Sequence, residues 1–240
     1  WANSYDRWRN DNLTNRYQGV QFGYTSAGRY TSWNDIWSYP GYKERDILPG
    51  DYKYEDWNGD GEINGQDEHP FAFDQTPWLQ FSLNAGLQWK NLDFNMLLQG
   101  SALGSMEYKE PLHEIWGKNG GGALKQFLDR WHPVDPKADP YDPSTVWTSG
   151  HYAYTGRWAK NNSAFNRVST AYLRLKSIEL GYTFPKLKQI PNASLRIYAN
   201  AYNLLTFTGV KFVDPEHPDD DLGRMYPLNK TYTLGVSLSF

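Results

Sequence analysis

Five stretches of this chain alternate apolar and polar residues with a period of two, the pattern of strands with one greasy and one wet face. The first runs from Leu79 to Trp89. Leu79, Phe81, Leu83, Ala85, Leu87 and Trp89 alternate with Gln80, Ser82, Asn84, Gly86 and Gln88. Lys90-Asn91 predicts a two-residue hairpin turn, with Asn91 suited to positive φ. The return strand, 92–100, carries Leu92, Phe94, Met96 and Leu98 in phase. In the third stretch, 171–184, Leu173 and Leu175 share one parity, while Ile178, Leu180, Tyr182 and Phe184 share the other. That phase change predicts a bulge near Lys176–Ser177. The fourth, 194–204, sets Leu195, Ile197, Ala199 and Ala201 against Arg196, Tyr198, Asn200 and Tyr202. The fifth, 229–240, closes on Tyr232, Leu234, Val236, Leu238 and Phe240.

The lengths suit a bilayer, which a tilted strand crosses in roughly 9–11 residues. The connections alternate as well. Lys90-Asn91 and 185–192 are short; 101–170 and 206–227 are long. Short turns on one side and long loops on the other are the layout of an outer-membrane barrel, with the short turns and the C-terminus on the periplasmic side. The expected fold is therefore all-β: the C-terminal strands, about five to six, of an antiparallel transmembrane β-barrel with long extracellular loops. The smallest barrels have about eight strands, so these alone do not close one. Residues 1–78 lack a sustained period and read as an extracellular loop region, and 79–240 as barrel strands and loops. A short strand near Tyr17–Tyr24 and a short helix over Leu124–Trp131 are the additional elements expected.

Composition narrows the function. The chain has 240 residues and a net charge of -3, so it has no basic footprint for nucleic acid. A mean hydropathy of -0.75 does not argue against a membrane, because a spanning strand shows lipid only every second residue. Cysteine is absent, which removes disulfides and thiolate metal sites. Aromatics are abundant, with 11 Trp, 18 Tyr and 11 Phe; they suit strands, interfacial girdles and sugar-stacking platforms. Trp116, Trp131, Trp147 and Trp158 fall in the long third connection and are candidate cargo contacts. Arg196, Tyr198 and Tyr202, on the wet face of the fourth stretch, are candidates to line a transport path. Packing among the loops, or docking of a partner, accounts for the same aromatics.

One loop has metal-ligand spacing. Asp56, Asn58 and Asp60 stand at positions 1, 3 and 5 of a calcium loop, with Gly61 at the sharp turn. Glu62 offers its carbonyl at position 7, Asn64 acts through water at 9 and Asp67 closes at 12. The same spacing suits a run of Asx turns holding a metal-free loop. The five histidines are scattered, and no carboxylate pair is singled out by its spacing, so no catalysis is expected.

Several stretches together resemble the SusC/RagA-like TonB-dependent transporters of the Bacteroidetes outer membrane. They are "PGDYKYEDWNGDGEINGQDE" (49–68), "FSLNAGLQWKNLDFNMLLQGSALG" (81–104), "STAYLRLKSIELGYTFPK" (169–186), "LRIYANAYNLLTFTGVKFVDPE" (195–216) and "YPLNKTYTLGVSLSF" (226–240). Leu92 replaces an aromatic usual in that hairpin, and the first 48 residues match only loosely. The resemblance implies a 22-stranded barrel with an N-terminal plug, of which the plug, the TonB box and the first strands are absent from this chain. It also implies a SusD-like surface lipoprotein as lid, glycan or peptide cargo, and energy from TonB. Phe240 is then the terminal aromatic read by the insertion machinery. The alternative is a soluble, calcium-stabilised β-sandwich that binds or cleaves glycans, whose apolar faces a second sheet would cover.

Overall fold

The computed structural model describes residues 19–41, 46–109, 112–113, 124–154, 162–185, 193–216, 226 and 228–240. Its dominant element is one antiparallel sheet of five long strands: β1 (Leu79–Trp89), β2 (Leu92–Ala102), β3 (Tyr172–Phe184), β4 (Ser194–Thr208) and β5 (Thr231–Ser239). Their order across the sheet is their order in the chain, an up-and-down meander with β1 and β5 at the edges. β2 and β4 run past the Gly100 and Leu204 limits read from the sequence, because pairing continues where the apolar alternation stops.

Register explains the pattern. Leu87 pairs with Phe94, Phe94 with Leu180, Leu180 with Ala199 and Ala199 with Leu234. One apolar row thus crosses all five strands. The phase change in β3 is absorbed between Leu175 and Ser177, where the register slips toward both neighbours. Leu173 and Leu175 therefore meet Gly100 and Leu98, while Ile178 and Leu180 meet Met96 and Phe94. Those partners alternate regularly along β2, so both halves of β3 show their apolar side to one face.

That face is uncovered. Leu83 is 57% exposed, Leu87 67%, Leu180 54% and Leu234 76%. No second sheet of the described residues buries these side chains, as a sandwich would require. Eleven residues of β1, at about 3.3 Å rise and about 35–45° of tilt, span about 23–27 Å, the height of a barrel's lipid-facing band. Trp89, Tyr182, Phe184 and Phe240 gather toward the end with the short connections, in the manner of an interfacial girdle. Unpaired backbone groups in hydrocarbon cost several kcal/mol each, and among the described residues the outer edges of β1 and β5 have no partner strand. The sheet is a sector of a barrel that needs further strands to close.

One expectation is corrected. In the first hairpin the residue with positive φ is Lys90 (φ 56), not Asn91. The residues cluster into two compact units. One unit comprises the described parts of Trp1–Gln75, Ser105–Val168 and Pro218–Arg224, and the other holds the five-stranded sheet, Thr76–Gly104, Ser169–His217 and Met225–Phe240. The described parts of the long connection after β2 fall in the same unit as the N-terminal residues.

The first unit is built from short pairs. Gln21–Gly23 pairs with His69–Ala72, Ser26–Arg29 with Tyr52–Tyr54, and His132–Pro133 with Trp147–Thr148. Tyr24, Tyr52, Tyr54, Ile63 and Ala153 form its core, with Phe165 packed against them. Arg29 lies over the Tyr52 ring at 4.1 Å and donates to the Gly50 carbonyl at 2.9 Å. Burial lowers its pKa and raises that of Tyr52. A helix at Trp33–Ser38 starts where the Asp35 N–H donates to Ser32 Oγ. At Leu124–Trp131 the helical part is a single 3-10 turn, Lys125–Leu128, followed by residues that pair in extended form.

Candidate functional site

The wet face of the sheet carries a charged brace. Arg196 on β4 donates through Nη2 to Glu179 Oε1 on β3 at 2.6 Å and through Nε to Asp93 Oδ1 on β2 at 3.1 Å; Nη2 also reaches Asp93 Oδ2. Three adjacent strands are tied by one guanidinium. Gly181 lies between the partners, where a Cβ would come within 2.5 Å of Arg196 Nη2 and 2.6 Å of Asp93 Oδ1. Tyr198 stacks near Arg196 at 4.7 Å, and Tyr202 on the same face is exposed. The three residues singled out on β4 thus share one polar surface, but the charge of Arg196 is already answered within the sheet.

Nearer the long connections, Arg174 forms a second cluster that sequence reading missed. Its side chain is 1% exposed. It donates to Asp214 Oδ2 at 2.6 Å, Glu216 Oε2 at 2.7 Å and Thr206 Oγ1 at 3.0 Å. The Tyr172 hydroxyl also donates to Glu216, at 2.6 Å. The segment after β4 is therefore folded back onto the wet face by its Asp-Pro-Glu. The available signal was parity: Arg174 lies between Leu173 and Leu175, on the face opposite the lipid.

The acidic loop is held by its own backbone. Asp56 accepts from the N–H groups of Gly59, Asp60 and Gly61. Asp60 accepts from Glu62, and Asn64 from Gln66. Asp67, fully buried, accepts from Trp57, Asn58 and Asn64. These are the Asx turns of the metal-free alternative. The donors are nonetheless the hard oxygens calcium takes, and an ionised carboxylate with about four lone-pair sites keeps capacity beyond these bonds. Among the described residues no three acidic or histidine side chains have drawn together as a metal cluster.

Two of the four candidate tryptophans meet. The pairing of His132–Pro133 with Trp147–Thr148 brings Trp131 and Trp147 to one cleft of about 260 Å³, which Trp33 also lines. Trp131 is pressed onto the turn at Gly50, where a Cβ would lie 2.3 Å from its ring and φ is +91; only glycine fits there. Trp147 is held edge-on by Tyr154 at 5.3 Å. The rim from 134 to 146 is stiffened by three Asp-Pro turns, in which Asp135, Asp139 and Asp142 accept the N–H groups of Lys137, Tyr141 and Ser144. Those two bonds from Ser144, backbone and hydroxyl, lower the pKa of Asp142. Trp116 and Trp158 lie outside the described residues.

No family model matches the chain. Curated relatives do. TonB-dependent receptor P3 of Formosa agariphila is 28% identical over 211 residues, 81% of this chain and 19% of that protein. TonB-dependent receptor P26 of the same organism is 27% identical over 239 residues, covering 93% and 22%. Over most of its length the chain is similar to TonB-dependent receptors. It spans about a fifth of the length of the curated relatives it matches. The fold agrees: the RagAB peptide importer in its open-open state aligns with TM-score 0.54 at 19% identity, over 91% of this chain and 22% of that one. A further RagAB peptide transporter structure gives 0.57 at 22% identity, over 80% and 21%. The uncovered apolar face is of the kind an outer-membrane barrel turns to lipid, and Arg196, Tyr198, Tyr202 and Arg174 lie on the opposite face of the sheet.

Proposed function

We propose that this chain supplies the C-terminal strands of an outer-membrane transporter that imports glycans, with peptides as the second cargo class. TonB drives it through an N-terminal part outside this chain, and a SusD-like lipoprotein covers it. Its role is conduit and binding surface, without catalysis. The observation that carries this reading is the apolar row paired across all five strands on a face that no second sheet of the described residues covers. Peptide cargo has support of its own, since the RagAB relatives are named as peptide importers. The short turns and Phe240 face the periplasm, and calcium binds in the loop of Asp56, Asn58, Asp60, Glu62, Asn64 and Asp67 as a structural ion. The chain has no cysteine, so orientation is read directly with single introduced ones. In intact cells a membrane-impermeant maleimide should label Asp139→Cys and leave Asn91→Cys unlabelled until the outer membrane is opened. Recovery of the receptor in the soluble fraction, or labelling of both sites in intact cells, refutes the proposal.

A further inference from the structure

We infer that the cleft walled by Trp33, Trp131 and Trp147 is a subsite for one neutral sugar ring. The inference deepens the proposed function: it rests on that reading for the cargo's use and narrows its class to carbohydrate.

The lining contains no ionisable side chain; beside the three indoles it has only Pro49, Pro143, serines and threonines. A charged ligand would lose hydration there with nothing to replace it, so the occupant is neutral. Indole and proline faces are flat and apolar and match the C–H face of a pyranose. The indole N–H groups of Trp33 and Trp147 are buried and have no acceptor among the described residues. An indole is a donor only, and a buried donor left alone costs about 1–3 kcal/mol.

The hydroxyls at the wall complement such a ligand. Thr145 Oγ1 donates to the Asp139 carbonyl at 2.6 Å, and its lone pairs are directed elsewhere, so it accepts. A sugar hydroxyl both accepts and donates, and so serves a threonine acceptor at the wall. Size points the same way. About 260 Å³ is below the roughly 300–1,000 Å³ of drug-sized pockets and suits a single ring rather than an extended strand. The walls are also set in advance, by Gly50 under Trp131, Tyr154 against Trp147 and the Asp-Pro turns of the rim. Rigid walls keep the ordering cost of binding low.

The test uses the full-length receptor in detergent and saturation-transfer NMR, with neutral oligosaccharides of glucose, galactose and mannose and a polyproline peptide as probes. At least one sugar series should show transfer to ring protons. Its affinity should weaken at least tenfold in Trp147→Ala and in Ser149→Trp, which fills the cleft while leaving its three indoles in place. The inference is overturned when no sugar shows transfer, when both variants bind sugar like the parent, or when only the peptide is sensitive to them. Uptake of labelled oligosaccharide by cells is scored separately. Uptake with no cleft binding sinks this inference alone, and cleft binding with no uptake sinks the transporter reading alone.

Discussion

Removing the two carboxylates that hold Arg174 should cost more than removing Arg174 itself. The arginine is 1% exposed, whereas Asp214 and Glu216 are 24% and 38% exposed. Arginine does not deprotonate in proteins, so Asp214→Asn with Glu216→Gln strands a buried cation. Breaking a buried pair in this way costs about 3–5 kcal/mol. Most of that belongs to Asp214, because solvent screening limits a pair as exposed as that of Glu216 to about 1 kcal/mol or less. Arg174→Met lets both carboxylates return to water. It gives up the Thr206 bond, about 1 kcal/mol, and the contact with the Tyr172 ring at 5.1 Å. The gap between the variants is on the order of 2 kcal/mol, or roughly 30-fold in the local opening equilibrium. Barrels are kinetically stable, so a melting point is a poor readout. Hydrogen exchange of the peptide 206–216 reports the opening itself. Faster exchange in Arg174→Met than in the double carboxylate variant would falsify the reasoning.

Leu180→Arg, in the row that crosses the middle of the lipid face, should destabilise the folded barrel by about 2–4 kcal/mol, while Ser177→Arg on the wet face is tolerated; equal folded yields on heat-modifiability gels contradict the face assignment. Burial lowers the pKa of His113 to about 4. Its neutral form is favoured in the folded state, so stability is full above about pH 6.5 and falls as pH drops toward 4, by about 3 kcal/mol at most. Exchange of peptide 105–113 should accelerate over that window in the parent and less in His113→Gln; parallel pH profiles refute it. For the acidic loop, terbium as a calcium stand-in should give luminescence sensitised by Trp57, which stacks on His69 at 3.7 Å. Calcium should quench the signal and Asp56→Ala abolish it; no signal at millimolar terbium removes the metal.

Strand identity and the direction of each face were legible in the sequence, because alternation is a local property and each side chain's solvent is set by its parity. The bulge was legible for the same reason: Leu175 and Ile178 are apolar with opposite parity, and only an extra residue reconciles them. The positive φ at Lys90 was not, since two-residue turns differ in backbone geometry that Lys-Asn alone does not encode. Which loop residues meet was invisible too. Trp33 and Trp147 are more than a hundred positions apart, and neither has a periodic neighbour that marks it. Arg174 with Asp214 and Glu216 shows the same limit, because a long connection chooses its partners by folding back. The sequence by itself determined which side chains face lipid. The tertiary structure decided which polar and aromatic groups converge, because convergence depends on chain closure across long loops and not on any local period.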